Sequence, residues 1–133
     1  MIRILFGVFI GLHGLVHLLY LGQSARIFEL QPGMDWPDGA WAFSKFLGIE
    51  TTRMLASILL IVATLIFAAG GVSVLLKQDW WRPAVISGAI FSTAIYFLLW
   101  NGRLENLDNN GWVGILINLV ILTAVLLFKW PNF

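Results

Sequence analysis

Four apolar stretches, at about residues 4–21, 54–76, 84–100 and 112–128, dominate this 133-residue chain. Each has the roughly 17–25 residues that a helix needs to cross a ~30 Å hydrocarbon layer. The composition agrees, with 59% of residues hydrophobic and 11% charged, against about 45–50% and about 25% in soluble domains. A chain this short cannot hide so much apolar surface in one water-surrounded core. The expected fold is an all-α membrane protein, a single domain over residues 1–133. Its four transmembrane helices form an antiparallel bundle, with the lipid bilayer as its first partner.

A formal net charge of +1 leaves no basic footprint for nucleic acid. With no cysteine, disulfides, thiolate metal sites and iron–sulfur clusters are excluded. The N-terminal apolar run is longer than a signal-peptide core and lacks a small-residue cleavage site, so it reads as a retained first helix.

The connections are unequal. "KQDWWR" (77–82) is a tight hairpin whose tryptophans suit the headgroup layer. In "NGRLENLDNN" (101–110), Asn109 or Asn110 is available to cap the last helix. The outer connection, 22–53, is long enough to carry structure, and Asp38 stands there as a candidate N-cap. Residues 40–50 suit a short interfacial helix, or a continuous run into the second span. Arg3, Lys77, Arg82 and Lys129 on the side of the termini face one acid, Asp79, and lie in short segments near membrane ends. That favours a multi-pass protein of the cell inner membrane with both termini in the cytoplasm.

Inside the bundle, Gly7, Gly11 and Gly14 form one stripe of the first helix, suited to close helix contact. His13, His17, Tyr20 and Ser24 form another, about 120° away. A polar stripe facing lipid is costly, so it should point inward. Ala84, Gly88, Ser92 and Tyr96 step by four along the third helix, and Asn118 on the fourth reads as interhelical glue. His17, Tyr20, Arg53, Tyr96 and Asn118 all map to the outer half of the membrane, where they could enclose a small cavity beneath the first connection. Glu50 and Arg53 could pair across one helical turn.

The ligand or cofactor candidates are therefore His13, His17, Tyr20, Arg53, Tyr96 and Asn118. His13 and His17, four residues apart, could also share a metal ion, though the chain offers no cysteine, third histidine or intramembrane acid to complete a zinc site. One imidazole could ligate a haem or chlorophyll-type pigment; two from the same helix side cannot clasp one haem from opposite faces. In the plainest reading the histidines are neutral and hydrogen-bonded to Tyr20, Asn118, a Ser/Thr hydroxyl or a backbone carbonyl. In the remaining one they meet a polar headgroup, a quinone carbonyl or a transferable proton. The residues name no cofactor.

"LHGLVHLLYLGQSARIF" resembles the first helix of a group of small, uncharacterised bacterial four-helix membrane proteins that reads like "HGLIHL". The likeness continues in "FSKFLG", "WWRPA" and "LLWNGR", while "QPGMDWPDGAW" departs from the pattern. This resemblance implies the fold and transfers no catalytic residue. A looser, topological likeness points to DoxX-like membrane proteins, which implies quinone-linked or thiol-related redox partners; the absence of cysteine removes a thiol role here.

Three functions stay open at this point. The leading one is a non-enzymatic accessory or interaction subunit with an outer-leaflet pocket for a lipid-like or cofactor-like ligand, contacting other membrane subunits or its own copies. The second is a DoxX-like redox-associated subunit meeting quinone, haem or a chlorophyll-type cofactor through His13 and His17. The third is an oligomeric transporter or channel, disfavoured because no intramembrane acid or arginine marks an ion path.

Overall fold

The computed structural model describes all residues, Met1–Phe133, and all of the regular secondary structure is helical, with no strand. It has five α-helices: α1 (Ile2–Ser24), α2 (Ser44–Leu47), α3 (Ile49–Leu75), α4 (Trp81–Leu98) and α5 (Trp112–Leu122). The last continues as a wider π-helical turn over Thr123–Leu127. Two of them, α1 and α3, are long and apolar enough to cross a membrane.

Helix ends shift from the apolar boundaries because backbone geometry, not hydropathy, sets them. Helix α1 runs past Leu21 to Ser24, and α3 starts at Ile49 rather than Met54. Residues 40–50 do not run unbroken into α3, because Gly48 at φ +80° separates α2 from it. Helix α4 begins at Trp81, so Pro83 sits within its first turn, where a missing N–H breaks no intrahelical bond. The cap of α5 is Gly111 at φ +81°, with no side-chain cap bond; neither Asn109 nor Asn110 fills that role. Asn110 instead donates to the Asn106 carbonyl at 3.1 Å.

Helix α1 packs along α3, α3 along α4 and α4 along α5. The α1–α3 contact is close because small residues face each other. A Cβ on Gly71 would lie 2.8 Å from the Gly7 carbonyl oxygen, and one on Gly14 would lie 2.6 Å from Phe67 Cβ. Gly11 differs from its stripe neighbours: a Cβ there meets nothing within 4 Å. Helix α5 approaches α4 where the Tyr96 ring covers Gly111, leaving no room for a side chain at that position. Side chains join α1 to α5 and to the segment that follows it, His13 to Asn118 and Phe6 against Trp130.

Two apolar clusters make the core. One, at the end nearer the termini, includes Phe6, Ile10, Phe67 and Val85. The other, beneath the first connection, includes Trp36, Leu60, Tyr96 and Leu99. That connection is folded down by Gln23, which is fully buried. Its amide N–H donates to the Met34 and Trp36 carbonyls at 2.9 and 3.2 Å, and its oxygen accepts from the Leu30 N–H at 2.9 Å. Trp41 then donates from its indole to the Phe97 carbonyl at 2.7 Å, in the last turn of α4, where carbonyls lack the usual intrahelical donor.

Candidate functional site

Between the two clusters lies a layer of buried polar side chains, and its connectivity follows from counting protons. His17 Nδ1 sits 3.1 Å from the carbonyl oxygens of both His13 and Gly14. Carbonyls only accept, so Nδ1 carries the proton, and in the neutral ring Nε2 is an acceptor. The Ser92 hydroxyl, 2.7 Å away, therefore donates to His17 Nε2. Ser92 Oγ in turn accepts from Asn118 Nδ2 at 2.9 Å. That leaves Asn118 Oδ1 to accept from His13 Nε2–H at 2.7 Å. Exchanging the amide's oxygen and nitrogen would ask the single Ser92 proton to serve two acceptors. One consistent order of donors remains, His13 → Asn118 → Ser92 → His17 → backbone, tying α1, α4 and α5 together.

Every imidazole nitrogen except His13 Nδ1 has a protein partner. The two imidazoles lie edge-on with centroids 5.6 Å apart, and Phe67 meets both, at 4.9 Å from His13 and 5.4 Å from His17. As a metal site the pair is incomplete, since no cluster of three His, Cys, Asp or Glu side chains exists in the protein. An ion shared by both rings would also have to displace a bond of His17, whose two nitrogens are both engaged.

Tyr20 and Tyr96 stand one layer towards the first connection. Their rings meet edge-on at 5.1 Å, Trp36 closes on Tyr20 at 5.1 Å, and Tyr96 reaches His17 at 5.5 Å. The Tyr20 hydroxyl donates to the Asp108 carbonyl at 3.1 Å rather than to either histidine. The cavity expected beneath the first connection is filled: Trp36 and Tyr96 are only 2% and 1% exposed. A single indole lowered from the connection occupies the volume that the helices alone would have left open.

Arg53 is not part of this assembly. Its guanidinium grips Asp38 with two bonds of 2.7 and 2.6 Å, and Arg26 adds a contact of 2.9 Å to the same carboxylate. Asp38 is thus an ion-pair partner rather than an N-cap, and Arg53 pairs with it rather than with Glu50. Burial alone would raise the Asp38 carboxyl. The hydrogen bond from Arg53 and the charges of Arg26 and Arg53 outweigh it and hold the group below its ordinary value. The exposed side of Arg53 borders a shallow depression with Ser24, Arg26, Glu50 and Ser57.

The structure therefore brings His13, His17 and Asn118 into one network, sets Tyr20 and Tyr96 above it, and places Arg53 apart. Two buried residues outside the candidate set complete the picture, Ser92 in the network and Gln23 beneath the connection. Ser92 was visible as the one aliphatic hydroxyl of the Gly88–Ser92–Tyr96 stripe. Gln23 carried no comparable signal. An apolar groove of about 340 Å³ lies elsewhere, between α1 and α5, lined by Leu5, Phe6, Phe9, Ile121, Ala124 and Trp130 among others. Comparison with family models, curated proteins and solved structures finds no match to this chain.

Proposed function

We propose that this chain is an integral protein of a bacterial inner membrane that crosses the bilayer four times, through α1, α3, α4 and α5 with its π-helical extension. Both termini lie on the cytoplasmic face. It works as a non-catalytic accessory or interaction subunit, contacting other membrane subunits or its own copies. The observation that carries this reading is inverted polarity. On α1, Leu5, Leu12 and Leu15 are 63%, 57% and 50% exposed while His13 and His17 are buried. In water such an arrangement is costly, and in lipid it is the favoured one.

The tryptophans support it. All seven stand at helix ends or in connections, none in the middle of a span. From Trp81 to Trp100 along α4, and from Trp112 to Trp130 along the last helix, the separation is about 27–29 Å at ~1.5 Å per residue. That is the spacing of the two interfacial belts flanking a ~30 Å core. The histidine network, its bonds spent on its own members, holds helix register in this reading.

Because the chain has no cysteine, single cysteines give background-free topology. Glu105→Cys and Glu29→Cys should react with a membrane-impermeant maleimide in intact cells, and Lys77→Cys only after permeabilisation. The reverse pattern overturns the orientation, and release of the protein by alkaline carbonate overturns the spanning reading. Stoichiometric haem, quinone or pigment in gently solubilised protein would overturn the non-redox assignment.

A further inference from the structure

The two ends of the bundle differ in charge. Around the termini, Arg3, Lys77, Arg82 and Lys129 face the single acid Asp79, and none of these five side chains is in an ion pair. At the other end, Arg26, Lys45, Arg53 and Arg103 are outnumbered by six acids, and the ion pairs of the protein, both on Asp38, lie there.

The unpaired cations border a concavity. Arg3, Lys77, Gln78, Asp79, Trp81 and Arg82 line a polar basin of about 260 Å³, three cations against one carboxylate. The basin lies at the uncapped start of α4, the positive end of that helix. Arg82 is partly committed, donating to the Lys129 and Pro131 carbonyls at 3.0 and 3.1 Å. Arg3 is not: its Nε is buried without a hydrogen-bond partner, and its guanidinium rests 4.8 Å from the centre of the Phe133 ring.

The basin leads into the apolar groove. A depression between them is bordered by Ile2, which also lines the groove, and by Arg3, Lys77 and Phe133, which also line the basin. An anion receptor thus lies next to a wholly hydrocarbon-lined slot between α1 and α5. Free phosphate would use the first and leave the second empty. A phospholipid uses both.

We propose that this end of the bundle holds an anionic phospholipid, its phosphate against Arg3 and Lys77 and one acyl chain in the α1–α5 groove. This rests on the reading that the chain crosses a bilayer with its termini at a leaflet surface. Each cation near an anionic headgroup contributes roughly a fivefold preference, and Asp79 opposes part of it.

The test is native mass spectrometry of the full chain in a mild detergent. It is titrated with dioleoyl phosphatidylglycerol, with dioleoyl phosphatidylcholine, and with phosphatidylglycerol in the presence of millimolar inorganic phosphate. Phosphatidylglycerol should bind at least about tenfold more tightly than phosphatidylcholine. Lys77→Gln together with Arg3→Gln should bring the two within about twofold. Ala124→Phe, which fills the groove, should weaken both lipids and leave the headgroup preference in place. If Ala124→Phe does not fold, Lys77→Gln alone, at an exposed position, still decides the headgroup question by lowering the preference several-fold or leaving it unchanged. Equal affinity for the two lipids overturns the proposal. So does displacement of phosphatidylglycerol by phosphate, which marks a free-anion site. Either result leaves membrane insertion intact, whereas release by carbonate strikes the spanning reading itself.

Discussion

Replacing Asn118 with leucine removes one acceptor and one donor from the centre of the bundle, and the consequences differ at the two ends. Ser92 keeps a partner, because its hydroxyl still donates to His17 at 2.7 Å. His13 does not, because its Nε2–H loses the only acceptor it has, at 2.7 Å. An interhelical hydrogen bond inside a membrane is worth about 0.6 kcal/mol on average and up to about 1.7. Leaving a buried donor unsatisfied costs about 1–3 kcal/mol. The orphaned donor is the larger effect, so Asn118→Leu should destabilise by about 1–3 kcal/mol. A second replacement, His13→Leu, removes the orphan, so the double variant should lose less than the sum of the singles, with a coupling of about 1 kcal/mol. Arg53→Gln, outside the network, should add to Asn118→Leu without coupling. The assay is equilibrium unfolding in mixed micelles titrated with sodium dodecyl sulfate, followed by helicity. Coupling between positions 13 and 118 below about 0.3 kcal/mol, the error of additivity, would refute the proposed chain of bonds.

Gly71→Ala should destabilise by about 1–3 kcal/mol, since its Cβ would fall 2.8 Å from the Gly7 carbonyl oxygen. Gly11→Ala, with nothing within 4 Å, should be neutral or slightly stabilising by the same unfolding assay. Asp38→Asn should cost about 1–3 kcal/mol by removing charge-assisted bonds and should also change the pH profile. Because the folded Asp38 carboxyl titrates below its ordinary value, its contribution is present above the ordinary aspartate value near ~3.9 and lost as pH falls through and beneath it. That part of the acid limb should vanish in the variant, and an unchanged limb would count against the ion pair. Gln23→Leu should speed amide exchange across residues 30–36 by roughly tenfold or more, as an opening about 1.4 kcal/mol or more easier implies; unaltered protection there would show that the connection is held by other contacts.

How legible the site was depended on the range of the interaction. His13 and His17 on one inward face, and Asn118 as a helix-joining polar group, follow from spacing along single helices, because a helix fixes its own side-chain directions. Which histidine meets which partner does not, since it depends on the rotation and offset of α1 against α4 and α5. The same holds for Glu50 and Arg53: their spacing allows a pair, but Asp38 offers two oxygens to the Arg53 fork at 2.7 and 2.6 Å. Local geometry proposes a partner, and a better-placed distant group takes it.

Hydropathy and length by themselves determine that the chain is helical and apolar-faced, because a long run of apolar residues has few other ways to satisfy its backbone. They also determine that charge is uneven between the two ends. Only the tertiary structure decides that the space beneath the first connection is filled. That outcome turns on Gln23 drawing Met34 and Trp36 down by their carbonyls, bonds between residues 11 and 13 positions apart in a segment without periodicity. It decides equally that the open groove lies between α1 and α5, where no glycine seam draws the backbones together as Gly7, Gly14 and Gly71 do for α1 and α3.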